Sequence, residues 1–282
     1  MTSNELLEKI MHWARSNDNI TALIMTGSRS RTDNMLDEFS DFDLELIAKD
    51  RDLLSKDDRW LRLFADIWTV LALDEGQEDP TRLVIYDGGH KVDFTLADRH
   101  RVANMVASKK LNSLYERGYR VLIDKEAITQ GLPQPTGASP VVALPNQDEF
   151  KAVIREFWFE ASHMPRYLLR NELWVVKFRD WTMKSQLLRM LEWHSIATSD
   201  DAVDVWYIGS HMHDWVDSQT WSDVQNVFSR FDARDSWRGL LAAMSLFGRL
   251  GQEIAAASEL EYLSDVDENV SGYIMEFAER LR

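Results

Sequence analysis

Three carboxylates sit in positions that strands ordinarily avoid. Asp41 and Asp43 stand one residue apart at the start of an alternating run, DFDLELIA (41–48), and Asp93 holds a similar place in KVDFTL (91–96). Strands disfavour aspartate, and like charges this close repel unless something positive lies between them. With a period of two, Asp41, Asp43 and Glu45 share one face while Phe42, Leu44 and Leu46 share the other. The apolar set belongs to a core, which leaves the two aspartates facing outward with Cβ atoms roughly 6.5–7 Å apart. That separation lets two carboxylates clasp one or two divalent ions. If the strand carrying Asp93 neighbours 41–48, a third carboxylate joins the face. A set made only of carboxylates suits a hard, oxygen-seeking cation such as Mg2+. Glu38 adds a further acid just upstream.

The other half of the chemistry lies before these acids. ITALIMTG (20–27) is a short apolar run rich in β-branched residues, ended by Gly27 and followed by Ser28, Arg29 and Arg31. A Gly-Ser turn after a strand can offer backbone N–H groups and a hydroxyl to a phosphate, and the arginines place positive charge beside it. The combination describes a triphosphate gripped between the turn and two carboxylate-bound metals, the arrangement for in-line displacement at phosphorus.

The elements that must position these groups alternate between helix and strand. Ser3 or Asn4 can cap a first helix running to about Ser16. Strands are expected at 20–27, 41–48, 66–73, 82–87, 91–98 and 119–124, with a helix over about 98–109 and a hairpin turn at Gly88-Gly89. The sum is a mixed α/β domain over 1–130. Four of the six prolines then fall between 133 and 145, which predicts an extended connector over 131–146. Beyond it the period turns helical, with apolar residues at three and four spacing over 147–170, 172–198, about 219–230, 232–257 and 267–282. This gives an all-α C-terminal domain over 147–282.

Composition narrows the function classes. The 282 residues hold 45% hydrophobic and 28% charged side chains, a globular profile, and no apolar run approaches the roughly 18 residues of a membrane helix. The N-terminus lacks the basic segment and apolar core of a signal peptide. There is no cysteine, hence no disulfide or thiolate chemistry, and a cytoplasmic protein is expected. The net charge of −15 opposes nucleic acid binding and suits divalent cations, a polycationic ligand or simply the solubility of an ordinary acidic protein.

The order strand, Gly-Ser, a dozen residues, Ser-Asp-x-Asp-Leu, then a lone aspartate on a later strand resembles the nucleotidyltransferase superfamily typified by DNA polymerase β. Within it, IMTGSRSRTDNMLDEFSDFDLELIAKD, VDFTL and EFWFEASHMPRYLLRNELWVVKFRDWTMKSQLLRMLEWH (156–194) look like the aminoglycoside 6-adenylyltransferases, with MSLFGRLG (244–251) and YIMEF (273–277) fitting that family's helical C-terminal domain. The resemblance covers nearly the whole chain. It implies a polymerase β-like nucleotidyltransferase domain and transfer of AMP from ATP to a streptomycin hydroxyl, with Mg2+ required. It further implies Asp41 and Asp43 as metal ligands, Asp93 as a third ligand or general base, and Gly27 and Ser28 on the triphosphate with help from Arg29. The loop TDNMLDE is more acidic here than the family's usual aromatic or apolar stretch. A nucleotide-binding regulator or antitoxin without turnover, and a transferase acting on another small molecule, protein or RNA, are the alternatives. The intact acidic triplet argues against the first and the net charge against RNA. A monomer or a homodimer is equally compatible.

In the helical half, Glu156, Glu160 and His163 fall at i, i+4 and i+7 on one face, an acidic wall for a guanidinium-bearing substrate or a solvated face. Lys184 is either an i, i+4 partner of Asp180 or a cation for the triphosphate. Trp158, Trp174, Trp181 and Trp193 are expected in the helical core, His211-Met212-His213 lacks a third ligand for a metal, and LDEGQEDP (73–80) reads as an acidic surface loop.

Overall fold

Apolar side chains on both faces of the central strands demand cover on both sides, and the chain supplies it in order. The computed structural model describes residues 1–31, 40–75, 78–140, 142–199 and 201–281; the whole of TDNMLDE (32–38), Glu38 included, lies outside them. The chain divides into two units, Met1–Pro140 and Val141–Arg282.

The first unit runs α1 (Ser3–Ser16), β1 (Ile20–Thr26), β2 (Phe42–Ala48), α2 (Asp52–Ser55), β3 (Ile67–Leu73), β4 (Thr81–Tyr86), β5 (His90–Asp98), α3 (Arg99–Ser108), α4 (Ser113–Arg117) and β6 (Arg120–Asp124). Helix α1 starts one residue earlier than expected: Thr2 is the cap, accepting from the Glu5 N–H at 3.2 Å while Glu5 Oε2 accepts from Thr2 at 2.7 Å. Six strands form one sheet in the order β3-β4-β5-β2-β1-β6, one for each of the six runs expected to be strands. Strands β2 and β5 pair in parallel, and the other neighbours are antiparallel. Gly88 and Gly89 both take positive φ, the geometry of the tight β4–β5 hairpin.

One face of the sheet, with Phe42, Leu44 and Leu46, packs on Leu6, Leu7 and Ile10 of α1 and on Trp60 and Phe64. The opposite face, with Ile24, Ile47 and Ala97, packs on Val102 and Met105 of α3 and Tyr115 of α4. Each fully buried large apolar side chain adds about 1.5–3 kcal/mol. The acidic face of β2 is therefore covered along most of its length. The described residues of the Pro-rich stretch carry no helix or strand, yet part of it lies against this unit: Leu132 is buried, and Tyr119 Oη donates to the Pro133 carbonyl at 2.9 Å.

The second unit comprises α5 (Gln147–Leu169), α6 (Leu173–Thr198), α7 (Met212–Trp215), α8 (Ser218–Val227), α9 (Ala233–Ser258), α10 (Ser264–Met275) and α11 (Ala278–Leu281). Helices α5, α6 and α9 carry most of its core, where Phe157 and Phe247 stack at 3.7 Å. Trp158 and Trp193 are buried as expected. Trp174 and Trp181 are not, being 80% and 67% exposed. Both faces of α6 are apolar, so period alone does not say which side is covered; Val176, Met183, Leu187 and Met190 take the core side. Among the described residues, no helix is long and apolar enough to cross a membrane.

Candidate active site

The parallel pairing of β2 with β5 sets Asp43 directly opposite Asp93, and Asp41 immediately precedes β2. The antiparallel pairing of β1 with β2 sets Thr26 opposite Asp43, so Gly27 arrives at the same end of the sheet. Two strand pairings thus bring together the Gly-Ser turn and all three aspartates, the elements expected to act jointly.

Gly27 adopts φ +67°, ψ −161°, a conformation that essentially only glycine holds. A Cβ there would stand 1.9 Å from Asp43 Oδ2, so the turn lies directly against the carboxylate. Ser28–Ser30 forms a single 3-10 turn. Ser30 Oγ locks it, its single O–H shared between the Gly27 carbonyl at 2.9 Å and the Gly118 carbonyl at 2.8 Å. Arg29 is anchored beside the site: its Nε donates to the Ser40 carbonyl at 2.9 Å and its guanidinium lies 4.2 Å from the centre of the Phe42 ring.

The electrostatics follow from crowding. Burial, then the charges of Asp93 and Asp41, push the Asp43 carboxyl up to about 6. Burial raises the Asp93 carboxyl as well, against the opposing pull of Lys91. Asp93 Oδ1 is buried with no hydrogen-bond partner among the described residues. Lys91 bridges the acids, its Nζ 2.7 Å from Asp41 Oδ2 and 3.2 Å from Asp93 Oδ2. Burial works against its charge, but the two aspartates outweigh that and raise its pKa.

Among the described residues no three Asp, Glu or His side chains converge closely enough to hold a metal ion as they stand. The donor chemistry nevertheless fits a divalent cation: three carboxylates, one of them with an orphaned buried oxygen, are gathered at one sheet end, and two of them, Asp41 and Asp93, already share a cation in Lys91.

Glu45 departs from the sequence reading. It is 1% exposed rather than outward facing, because α3 and α4 cover its part of the strand. Arg101 donates to both of its oxygens at 3.1 Å and Tyr115 Oη donates at 2.7 Å. Burial and the Glu45 charge raise the Tyr115 hydroxyl above its ordinary value. Arg101 also pairs with Asp79 at 2.8 Å, and Asp79 with Arg51. Asp79 is therefore buried within a network, not part of a purely exposed loop. Sequence reasoning missed this network, and it also missed Lys91, although the spacing Lys-x-Asp on an alternating strand places Lys91 on the face of Asp93.

The helical candidates are differently placed. Lys184 is buried with its Nζ 2.5 Å from Asp180 Oδ1, and burial lowers its pKa; the i, i+4 pairing holds the ammonium that the alternative would give to a triphosphate. Glu160 accepts from Arg179 at 2.8 Å, so it is not half of a free acidic wall. Glu156 is exposed on α5, and His163 stays with the Phe159 carbonyl of its own helix at 2.8 Å. His211 and His213 are exposed beside Asp214.

A family model described as streptomycin adenylyltransferase matches residues 1–277. An aminoglycoside 6-adenylyltransferase of Bacillus subtilis (strain 168) is 20% identical over 280 residues, spanning 96% of this chain and 96% of that protein. One from Campylobacter jejuni is 22% identical over 281 residues, 97% and 95% of the two. The crystal structure of an aminoglycoside 6-adenyltransferase from Bacillus subtilis aligns over 99% of both chains at 18% identity with a TM-score of 0.47.

Proposed function

The chain belongs to the streptomycin adenylyltransferase family, a family of nucleotidyltransferase enzymes, and on that premise we propose that it transfers AMP from ATP to a hydroxyl of an aminoglycoside, in the manner of streptomycin 6-O-adenylylation, releasing pyrophosphate. The observation that carries the reading is the in-register pairing of Asp43 with Asp93 beneath the Gly27 turn.

The residues divide the work. The turn at Gly27 and Ser28 receives the triphosphate, since a backbone without a Cβ admits phosphate oxygens closely. Arg29, pinned by Ser40 and Phe42, contributes fixed positive charge near those oxygens. Asp41, Asp43 and Asp93 would hold Mg2+. Bound there, the cation supplies charge neutralisation at the phosphoryl oxygens undergoing displacement. Asp93 Oδ1, buried and unpartnered, takes the proton of the attacking hydroxyl, helped by a carboxyl that burial makes more basic than usual. A polycationic acceptor is drawn by the net charge of −15. The expected setting is the cytoplasm, with ATP and the aminoglycoside as partners.

The test is incubation with labelled ATP, Mg2+ and a panel of aminoglycosides, reading the adenylylated product by mass. Streptomycin modification with pyrophosphate release is expected. Absence of AMP transfer to every member of the panel refutes the assignment.

A further inference from the structure

Lys91 lies two residues before Asp93 on β5, so alternation turns its side chain to the carboxylate face. It bridges acids that come from two different segments, one before β2 and one on β5. Its side chain is 38% exposed. The other cations of this region are held differently. Arg101 is fixed on Glu45 and Asp79 by hydrogen bonds made deep in the unit. Arg29 is fixed by a backbone carbonyl and an aromatic ring. Lys91 is a compact point charge on a flexible stem, and it can swing into solvent without opening the core.

We propose that Lys91 is a resident counter-cation that holds the divalent ion's place between Asp41 and Asp93 until nucleotide arrives, so that metal loading depends on the triphosphate. The inference rests on reading Asp41, Asp43 and Asp93 as the cation site. In the nucleotide-free protein the ammonium relieves the repulsion among the acids and competes with any stray divalent cation. With ATP present, the triphosphate brings added negative charge that receives the displaced ammonium and anchors the incoming ion. Lys91 thus acts as a positioning residue, through the carboxylates and not on the reacting atoms.

The experiment measures Mn2+ binding to the full chain by electron paramagnetic resonance, with and without an ATP analogue that cannot be cleaved at the α-phosphorus. Wild type is compared with Lys91→Met, Lys91→Gln, Lys91→Arg and Asp43→Asn, each checked for native circular dichroism. A unit charge at this range changes ionic equilibria by about ten- to a thousandfold, so Lys91→Met and Lys91→Gln should bind Mn2+ at least about tenfold more tightly than wild type without nucleotide. Lys91→Arg, which keeps the charge, should stay close to wild type. The analogue should narrow the difference, chiefly by tightening wild type. Equal or weaker nucleotide-free Mn2+ binding in both neutral variants overturns the proposal. The Asp43→Asn arm separates the two levels. If analogue-supported binding survives that change, the cation site itself is misplaced and both readings fall. If binding is lost there yet neutralising Lys91 tightens nothing, only the role of Lys91 is refuted.

Discussion

Replacing Gly27 with alanine should damage the site far more than the fold. Two costs are legible. The first is conformational: φ +67°, ψ −161° is a region nearly closed to residues with a Cβ, and holding alanine there costs about 1–3 kcal/mol. For a unit of this size that lowers the melting temperature by roughly 2–12 °C. The second is steric: the new methyl would stand 1.9 Å from Asp43 Oδ2 and 3.1 Å from Asp43 Cβ. The Asp43 carboxylate is the end of a side chain and can turn aside, so the clash is relieved by moving it off its position opposite Asp93. Misplacement by about 1 Å can cost on the order of a hundredfold in rate. Gly27→Ala should therefore stay folded at 25 °C, melt a few degrees lower, and lose about a hundredfold or more in single-turnover AMP transfer. Differential scanning fluorimetry and a quenched-flow assay with labelled ATP measure the two effects separately. An alanine variant with wild-type transfer would show that neither the turn nor its contact with Asp43 matters to the chemistry.

The raised Asp43 carboxyl makes a linked prediction. Because its folded value, about 6, exceeds the ordinary 3.8, the folded state favours the neutral acid; the resulting stabilisation is complete below about pH 4 and is lost as pH rises through 6, a swing of about 3 kcal/mol. Metal-free Asp43→Asn should accordingly gain melting temperature over wild type between pH 5 and 7.5 while transferring no AMP, and a gain that shrinks with pH over that range contradicts the assignment. Arg101→Met should cost about 3–5 kcal/mol in urea unfolding, because it strands the buried Glu45 charge, and pairing it with Glu45→Gln should recover part of the loss. In the helical unit Asp180→Ala and Lys184→Met should each destabilise, since each leaves a buried charge without its partner. If Lys184→Met instead leaves stability untouched and raises the KM for ATP severalfold, the ammonium serves the triphosphate after all.

What could be read from sequence was whatever alternation and punctuation encode. Gly27 closing an apolar run, the Gly88-Gly89 hairpin and the two acidic alternating strands placed β1, β2, β4 and β5 within a residue or so of where they lie. The juxtaposition of Asp43 with Asp93 needed one further fact, that β2 and β5 are parallel neighbours, and the chain between them does not state it. Alternation assigns a residue to a face but not the depth of cover on that face. Asp43 and Glu45 have the same parity, yet α3 and α4 shield Glu45 alone among the two, and these helices lie more than fifty residues downstream. The misplacement of Trp174 and Trp181 has the same root: α6 is apolar all round, so the choice of buried side is made by α5 and α9 and not by its own period.

The two kinds of charge neutralisation in this sheet separate structure from chemistry. Glu45 is answered by Arg101 of α3 and Tyr115 of α4, donors held in turn by Asp79 and by packing against the sheet, so its charge is satisfied permanently and can contribute only to the fold. Asp41 and Asp93 are answered by a half-exposed lysine, and Asp43 is left with a carboxyl near 6. A fold selected for stability alone would have no reason to leave three acids so loosely compensated when the same strand shows how to compensate one fully. The shortfall is confined to the end of the sheet where the Gly27 turn lies against Asp43, the place where a cation and a triphosphate would complete the charge balance.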